Sequence, residues 1–131
     1  MTILAPVETA IVSHARATAP AECCGLLLGT GDTITDARPA RNVADDTFRQ
    51  YLIDPADHLA AIRDARSRSV EVVGAYHSHP RSAPVPSPTD AAAAFGEFVF
   101  VIVGLDTDPP EIRAWIWAEG NFVPVPLVRH Q

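Results

Sequence analysis

Val7, Ile11 and Val12, with Ala10 and Ala15, recur at helical spacing until Pro20 ends the run, which predicts a first helix over 7–18. Residues 23–28 then form a short, dense apolar run closed by Gly29, the pattern of a buried strand. Glu22 stands immediately before it, and Gly29, Thr30, Gly31 and Asp32 signal a turn after it. Residues 33–41 read as a weaker strand and 48–53 as another, with Phe48, Tyr51 and Ile53 supplying apolar sides. Asp54-Pro55 marks a helix start, a capping carboxylate followed by Pro at the first helical position. That helix is expected to reach Ser67 with Leu59 and Ile62 inward. The β-branched stretch 70–76 has the composition of a central strand. Four prolines crowd residues 80–88, after which a short alanine-rich helix should start at Ser87-Pro88 and end near Gly96. Strands follow over 98–105 and 112–118, then a turn at Gly120-Asn121. A last edge strand over 122–128 is weakened by Pro124 and Pro126.

These elements predict an α+β domain spanning 1–131, a predominantly β sheet with about three helices. At 131 residues the chain can bury a substantial core without covalent help. With 47% apolar and 20% charged residues, global disorder is excluded. No apolar run approaches the ~18 residues of a membrane span, so no membrane association is expected. The net charge of −6 and the lack of a basic patch argue against nucleic acid as a partner. All 10 basic residues are Arg, which excludes Schiff-base and P-loop chemistry, since both require Lys. Cys23 and Cys24 are adjacent and have no third partner, so a disulfide framework is not expected. Their position in an apolar run favours buried thiols without a chemical role. With no basic segment and apolar core at residues 1–10, the expected location is the cytoplasm.

The chemistry concentrates in His77-Ser78-His79-Pro80, six further residues, then Ser87-Pro88-Thr89-Asp90. On a strand, i and i+2 share a face about 7 Å apart, so His77 and His79 present two imidazoles together. Asp90 falls in the first turn of a helix whose N-cap is Ser87, and the proline-rich loop restricts where that helix can lie. Two His and one Asp leave one position open, the ligand set of a catalytic zinc. Ser87 and Asp90 also have a purely structural reading as a capping box, and the two roles are compatible. Ser78 points to the opposite strand face, and Pro80 fixes the chain exit. Trp115 and Trp117 read as sheet packing, and His14, His58 and His130 as surface residues.

This combination resembles the JAMM motif of the JAB/MPN metalloproteases: His, Ser or Thr, His, Pro, six residues, Ser, two residues, Asp. His77, Ser78, His79, Pro80, Ser87 and Asp90 match it without a change of spacing, and Glu22 followed by Gly25, Leu26 and Gly29 fits the family's upstream context. The resemblance implies a single JAB/MPN domain with a cytidine-deaminase-like fold. It implies one Zn2+ per chain held by His77, His79 and Asp90 with water as fourth ligand. Glu22 becomes the general base that passes a proton to the leaving amine, and Ser87 helps hold the oxyanion. None of these roles for Glu22 and Ser87 follows from periodicity or composition.

The implied reaction is hydrolysis of an amide bond after the Gly-Gly tail of a ubiquitin-fold or sulfur-carrier protein. An amino acid, a peptide or a conjugated protein would be released, and the tail is expected beside the loop 80–87 and the stretch 45–53. The rival reading is a non-catalytic MPN docking scaffold, but such members lose a ligand or the Glu, and this chain keeps all of them. A nucleobase deaminase would need His-x-Glu and a later Pro-Cys-x-x-Cys, neither of which is present. A DNA-repair relative of the same fold is disfavoured by the acidic charge.

Overall fold

The computed structural model describes residues 1–93 and 98–131, and side chains outside 91–97. In chain order the elements are β1 (Thr2–Leu4), α1 (Ala5–Thr18), β2 (Cys24–Thr30), β3 (Thr33–Ala40), α2 (Pro55–Ser67) and β4 (Glu71–His79). They continue with α3 (Pro88–Ala93), β5 (Val99–Gly104), β6 (Glu111–Ala118), β7 (Asn121–Val125) and β8 (Val128–His130). The expected end of the third helix near Gly96 lies outside the described residues. All eight strands join one sheet in the order β7-β6-β5-β4-β2-β3-β1-β8. The sheet is mixed: β4 pairs antiparallel with β2 and parallel with β5, and β1 runs parallel to both its neighbours.

Period-2 alternation in the central strands divides the core into two layers. On one face, Val7, Ile11 and Ala15 of α1 pack with Leu27, Ile34, Tyr76, Val99, Val101 and Val103. On the other, Ala61 and Ala65 of α2 meet Leu26, Leu28, Ala75 and Phe100. Strand β4 therefore contributes Tyr76 to one layer and Ala75 to the other, and its C-terminal end emerges at the sheet's centre.

Several expectations need correction. In α2, Leu59 and Ile62 are 47% and 39% exposed, while Ala61 and Ala65 face the sheet. Ion pairs accompany this rotation: Asp64 binds Arg38 and Arg68, and Asp54 and Asp57 bind Arg41. The strand expected over 48–53 does not form. Asp46 consumes the backbone donors in a turn, with Phe48 donating to its side chain and Arg49 and Gln50 to its carbonyl. Only an isolated bridge, Asn42 to Ile53, remains. The single edge strand expected over 122–128 is two strands on opposite margins of the sheet, interrupted at Pro126-Leu127. The β6–β7 turn is centred one residue earlier, on Glu119 and Gly120, which adopt φ of 52° and 80°. Two left-handed residues in a two-residue loop match strand twist. Strand β1 went unread, being three residues with no periodicity of its own.

Gly74 leaves no room for a side chain between β4 and β5, since a Cβ there would lie 2.0 Å from the Val99 carbonyl oxygen. The obstacle is backbone, so the strands must separate. Gly74→Ala is expected to lower stability by about 3 kcal/mol, measured by urea unfolding of the zinc-free protein. A loss under about 0.5 kcal/mol would show that the β4–β5 pair can give way there.

Candidate metal centre

His77 and His79, at the end of β4, lie in register with Ile102 and Gly104 of β5. Both imidazoles and Asp90 are buried. Their atoms converge: His77 Nε2 to His79 Nε2 is 3.2 Å, and the two nitrogens lie 3.2 and 3.1 Å from Asp90 Oδ2. Tetrahedral ligands at ~2.05 Å from zinc are separated by about 3.3 Å, so the donors present fit that ion in chemistry and in spacing. Among the described residues this is the one cluster of three metal-ligating groups.

Each ligand is held from behind. His79 Nδ1 lies 2.9 Å from the Ala83 carbonyl, which selects the tautomer with Nε2 free to ligate. The loop carrying Ala83 is itself fastened, because Trp115 Nε1 donates to the Pro84 carbonyl at 3.1 Å. Pro84 is buried against Gly104, where a Cβ would lie 2.6 Å from the proline ring. Trp115 thus packs in the sheet, as its alternation predicts, and also anchors the loop. Asp90 is set by a capping box: its N–H donates to Ser87 Oγ at 3.0 Å, and Ser87 N–H donates to Asp90 Oδ2 at 2.9 Å. Burial alone would raise the Asp90 carboxyl, but the two imidazoles packed against it and the Ser87 N–H outweigh burial and keep it well below the usual range.

Tyr51 completes the wall and was missed, because the sequence assigned it to a strand. Its ring stacks on His77 with centroids 4.1 Å apart and an interplanar angle of 18°. Ser78 faces away from the cluster, as expected, and its Oγ accepts from the Cys23 N–H at 2.8 Å. Both cysteines are buried, and burial pushes their thiols up to about 11 for Cys23 and about 12 for Cys24, so neither forms a thiolate at neutral pH. His14 is not a plain surface residue, since its Nδ1 lies 2.8 Å from the Tyr76 hydroxyl.

Glu22 sits beside the cluster, only 5% exposed, with Oε1 buried and without a hydrogen-bond partner among the described residues. Burial is the main cause that pushes its carboxyl up to about 7; His79 opposes the shift, and Asp90 and Asp46 add to it. Between the ordinary value of 4.5 and 7, the folded chain keeps a proton that the unfolded chain releases. The contribution of Glu22 to the stability of the metal-free protein therefore falls as pH rises through that window. Relative to Glu22→Gln, the wild type is expected to lose about 2–3 kcal/mol between pH 4.5 and 8. Denaturant midpoints of both zinc-free proteins across that range provide the check. Parallel pH profiles would contradict it.

A buried cluster of two His from the central strand β4 and one Asp from α3, beside a buried carboxylate that precedes β2, defines a metal-dependent hydrolase of the JAMM type. Residues 4–118 match the prokaryotic homologues of the JAB domain, and the chain belongs to that family. It is 39% identical over 113 residues to the desampylase of Haloferax volcanii, covering 81% of each protein. It is 28% identical over 133 residues to the CysO-cysteine peptidase of Mycobacterium tuberculosis, covering 97% of this chain and 89% of that one. The fold superposes on the crystal structure of a JAB1/MPN domain protein from Archaeoglobus fulgidus with a TM-score of 0.67 at 20% identity. That match covers all of this chain and 97% of the other.

Proposed function

We propose that the protein is a zinc-dependent peptidase that hydrolyses the amide bond following the Gly-Gly tail of a ubiquitin-fold or sulfur-carrier protein. His77, His79 and Asp90 hold the metal, Glu22 is the general base and acid, and Ser87 is the oxyanion donor. The observation that carries the reading is the Glu22 carboxyl, buried beside the ligand cluster with one oxygen left unpaired. A buried polar atom without a partner destabilises the protein by about 1–3 kcal/mol. A proton-transfer role accounts for keeping it.

Zinc, when bound, supplies Lewis-acid polarisation of the scissile carbonyl and acidifies water at neutral pH. The chain's own groups do the rest. Glu22 accepts a proton from the attacking water at its carboxylate and delivers it to the departing amine nitrogen, which needs a group that titrates near neutrality. Ser87 Oγ already accepts from the Asp90 N–H, so its hydroxyl proton is available to the developing oxyanion. Asp90, holding several donors, stays ionised and favours retention of the cation.

A cleft of about 340 Å³ lined by Val43, Asp45, Gln50, Tyr51, Leu52 and Thr89 adjoins the centre. It supports placing the extended tail beside the segment 45–53. The names of the two relatives support both a conjugate and a carrier-bound amino acid as the amide partner. Among the described residues no helix is long and apolar enough to cross a membrane.

The test is intact-mass analysis of a ubiquitin-fold carrier incubated with zinc-loaded protein. The carrier bears, in separate arms, a C-terminal cysteine after Gly-Gly or an isopeptide-linked lysine peptide. Loss of the extension in at least one arm, and not in a chelated control, is the expected result. Intact substrates in both arms with zinc bound would reject the peptidase reading.

A further inference from the structure

Glu22 has no hydrogen bond that positions its Oε1, so its placement depends on its backbone. On its C-terminal side that backbone is fixed: Cys23 N–H donates to Ser78 Oγ at 2.8 Å, and Ser78 N–H donates to the Cys23 carbonyl at 3.2 Å. At Glu22 itself both backbone groups bond to a single strap, residues 42–53. The Glu22 N–H donates to the Thr47 carbonyl at 2.8 Å, and the Glu22 carbonyl accepts from Asn42 Nδ2 at 3.1 Å.

Asn42 is also the hub of that strap. Its Nδ2 donates a second time, to the Gln50 carbonyl at 2.9 Å. Its Oδ1 accepts from Ala44 N–H at 3.0 Å and from Leu52 N–H at 3.1 Å. One amide side chain therefore makes four hydrogen bonds, three closing the strap on itself and one joining it to Glu22. Between Asn42 and Gln50 the strap has little apolar burial to order it, since Val43 and Phe48 are exposed and its packing is confined to Tyr51 and Ile53 near its end. The same strap carries Tyr51 onto His77.

We propose that Asn42 is a positioning residue for catalysis: it holds the strap closed and, through the Glu22 carbonyl, sets where the general base stands relative to the metal ligands. Asn42 touches neither the ligands nor the reacting atoms, so its effect is transmitted through Glu22 and Tyr51. The inference rests on the peptidase reading for its catalytic part and on hydrogen bonding alone for its structural part.

Two variants separate the two linkages. Asn42→Ala removes all four bonds. Asn42→Asp keeps an acceptor for Ala44 and Leu52 but cannot donate to Glu22 or Gln50. Amide hydrogen exchange of zinc-loaded and zinc-free protein is the first measurement. Asn42→Ala is expected to lose protection at Ala44, Leu52 and Glu22, whereas amides of β2, β4 and β5 keep theirs. Asn42→Asp is expected to retain protection at Ala44 and Leu52. Zinc content should equal that of the wild type in both variants. With the carrier substrate, Asn42→Asp should lose about 30- to 100-fold in kcat while KM stays within about threefold, the signature of a misplaced catalytic group. Asn42→Ala, which opens the strap lining the tail cleft, should lose as much in kcat and raise KM as well.

Unchanged exchange in Asn42→Ala would overturn the proposal irrespective of activity. A kcat within threefold of wild type in Asn42→Asp would overturn the link from Asn42 to the base. A wild type that cleaves nothing would instead reject the peptidase reading, and exchange would still decide whether Asn42 orders the strap and Glu22.

Discussion

Glu22→Gln is expected to reduce turnover by about 10³-fold while leaving zinc content at the wild-type level. Gln matches Glu in shape and volume, so the buried niche stays filled. The Glu22 Oε1 has no hydrogen-bond partner to lose, and Glu22 is not among the three clustered donors. What disappears is the proton acceptor. The variant isolates proton transfer from metal binding and packing, which an alanine at the same position would not. Turnover per bound zinc by intact mass, beside metal content by elemental analysis, gives the answer. Residual activity within tenfold of the wild type would remove Glu22 as the base. Loss of zinc would make it a metal-holding group instead.

Asp90→Asn is expected to weaken zinc binding by more than about a hundredfold, a larger effect than loss of an outer-shell partner. An Asn oxygen can still accept the Ser87 N–H, so the start of α3 should survive and the loss should be confined to the site. The neutral amide no longer supplies the anionic donor that Oδ2 presents 3.1–3.2 Å from the two imidazole nitrogens. The carboxylate is held below its ordinary range by its His partners, so its stabilising effect is present above that range and lost as pH falls toward the folded value. Competition against a chromophoric chelator measures the affinity, and circular dichroism checks the fold. Affinity within fivefold of wild type would show that Asp90 serves only as a helix cap.

The ligand set was legible because strand alternation and motif spacing are local. His77 and His79 two apart, and a Ser87–Asp90 capping pair, specify faces and turns without tertiary information. Glu22 was reached only through the family's pattern: beside an apolar run it looks like any surface acid, and its burial depends on contacts with a strap twenty or more residues away. Tyr51 was misplaced for the same reason. Phe48, Tyr51 and Ile53 supply the apolar sides of a strand until Asp46 and Asn42 claim the backbone donors. The orientation of α2 was also illegible, because Leu59 and Ile62 carry the larger apolar area, whereas the small Ala61 and Ala65 are the residues that face the sheet. The terminal strands β1 and β8 are three residues each and stabilise one another only within the sheet.

Strand β4 serves two clients with alternate residues. Tyr76 and Ser78 belong to the side of α1, and His77 and His79 to the metal centre. A deletion or insertion of one residue inside β4 would exchange those assignments, burying both imidazoles beneath α1 and presenting a phenol and a hydroxyl to the site. Chain-length variation compatible with function is thereby confined to segments outside the strand. The 106–110 connection, exposed and remote from the strap that positions Glu22, is where this scaffold can accept added sequence, such as an affinity tag or a grafted recognition loop.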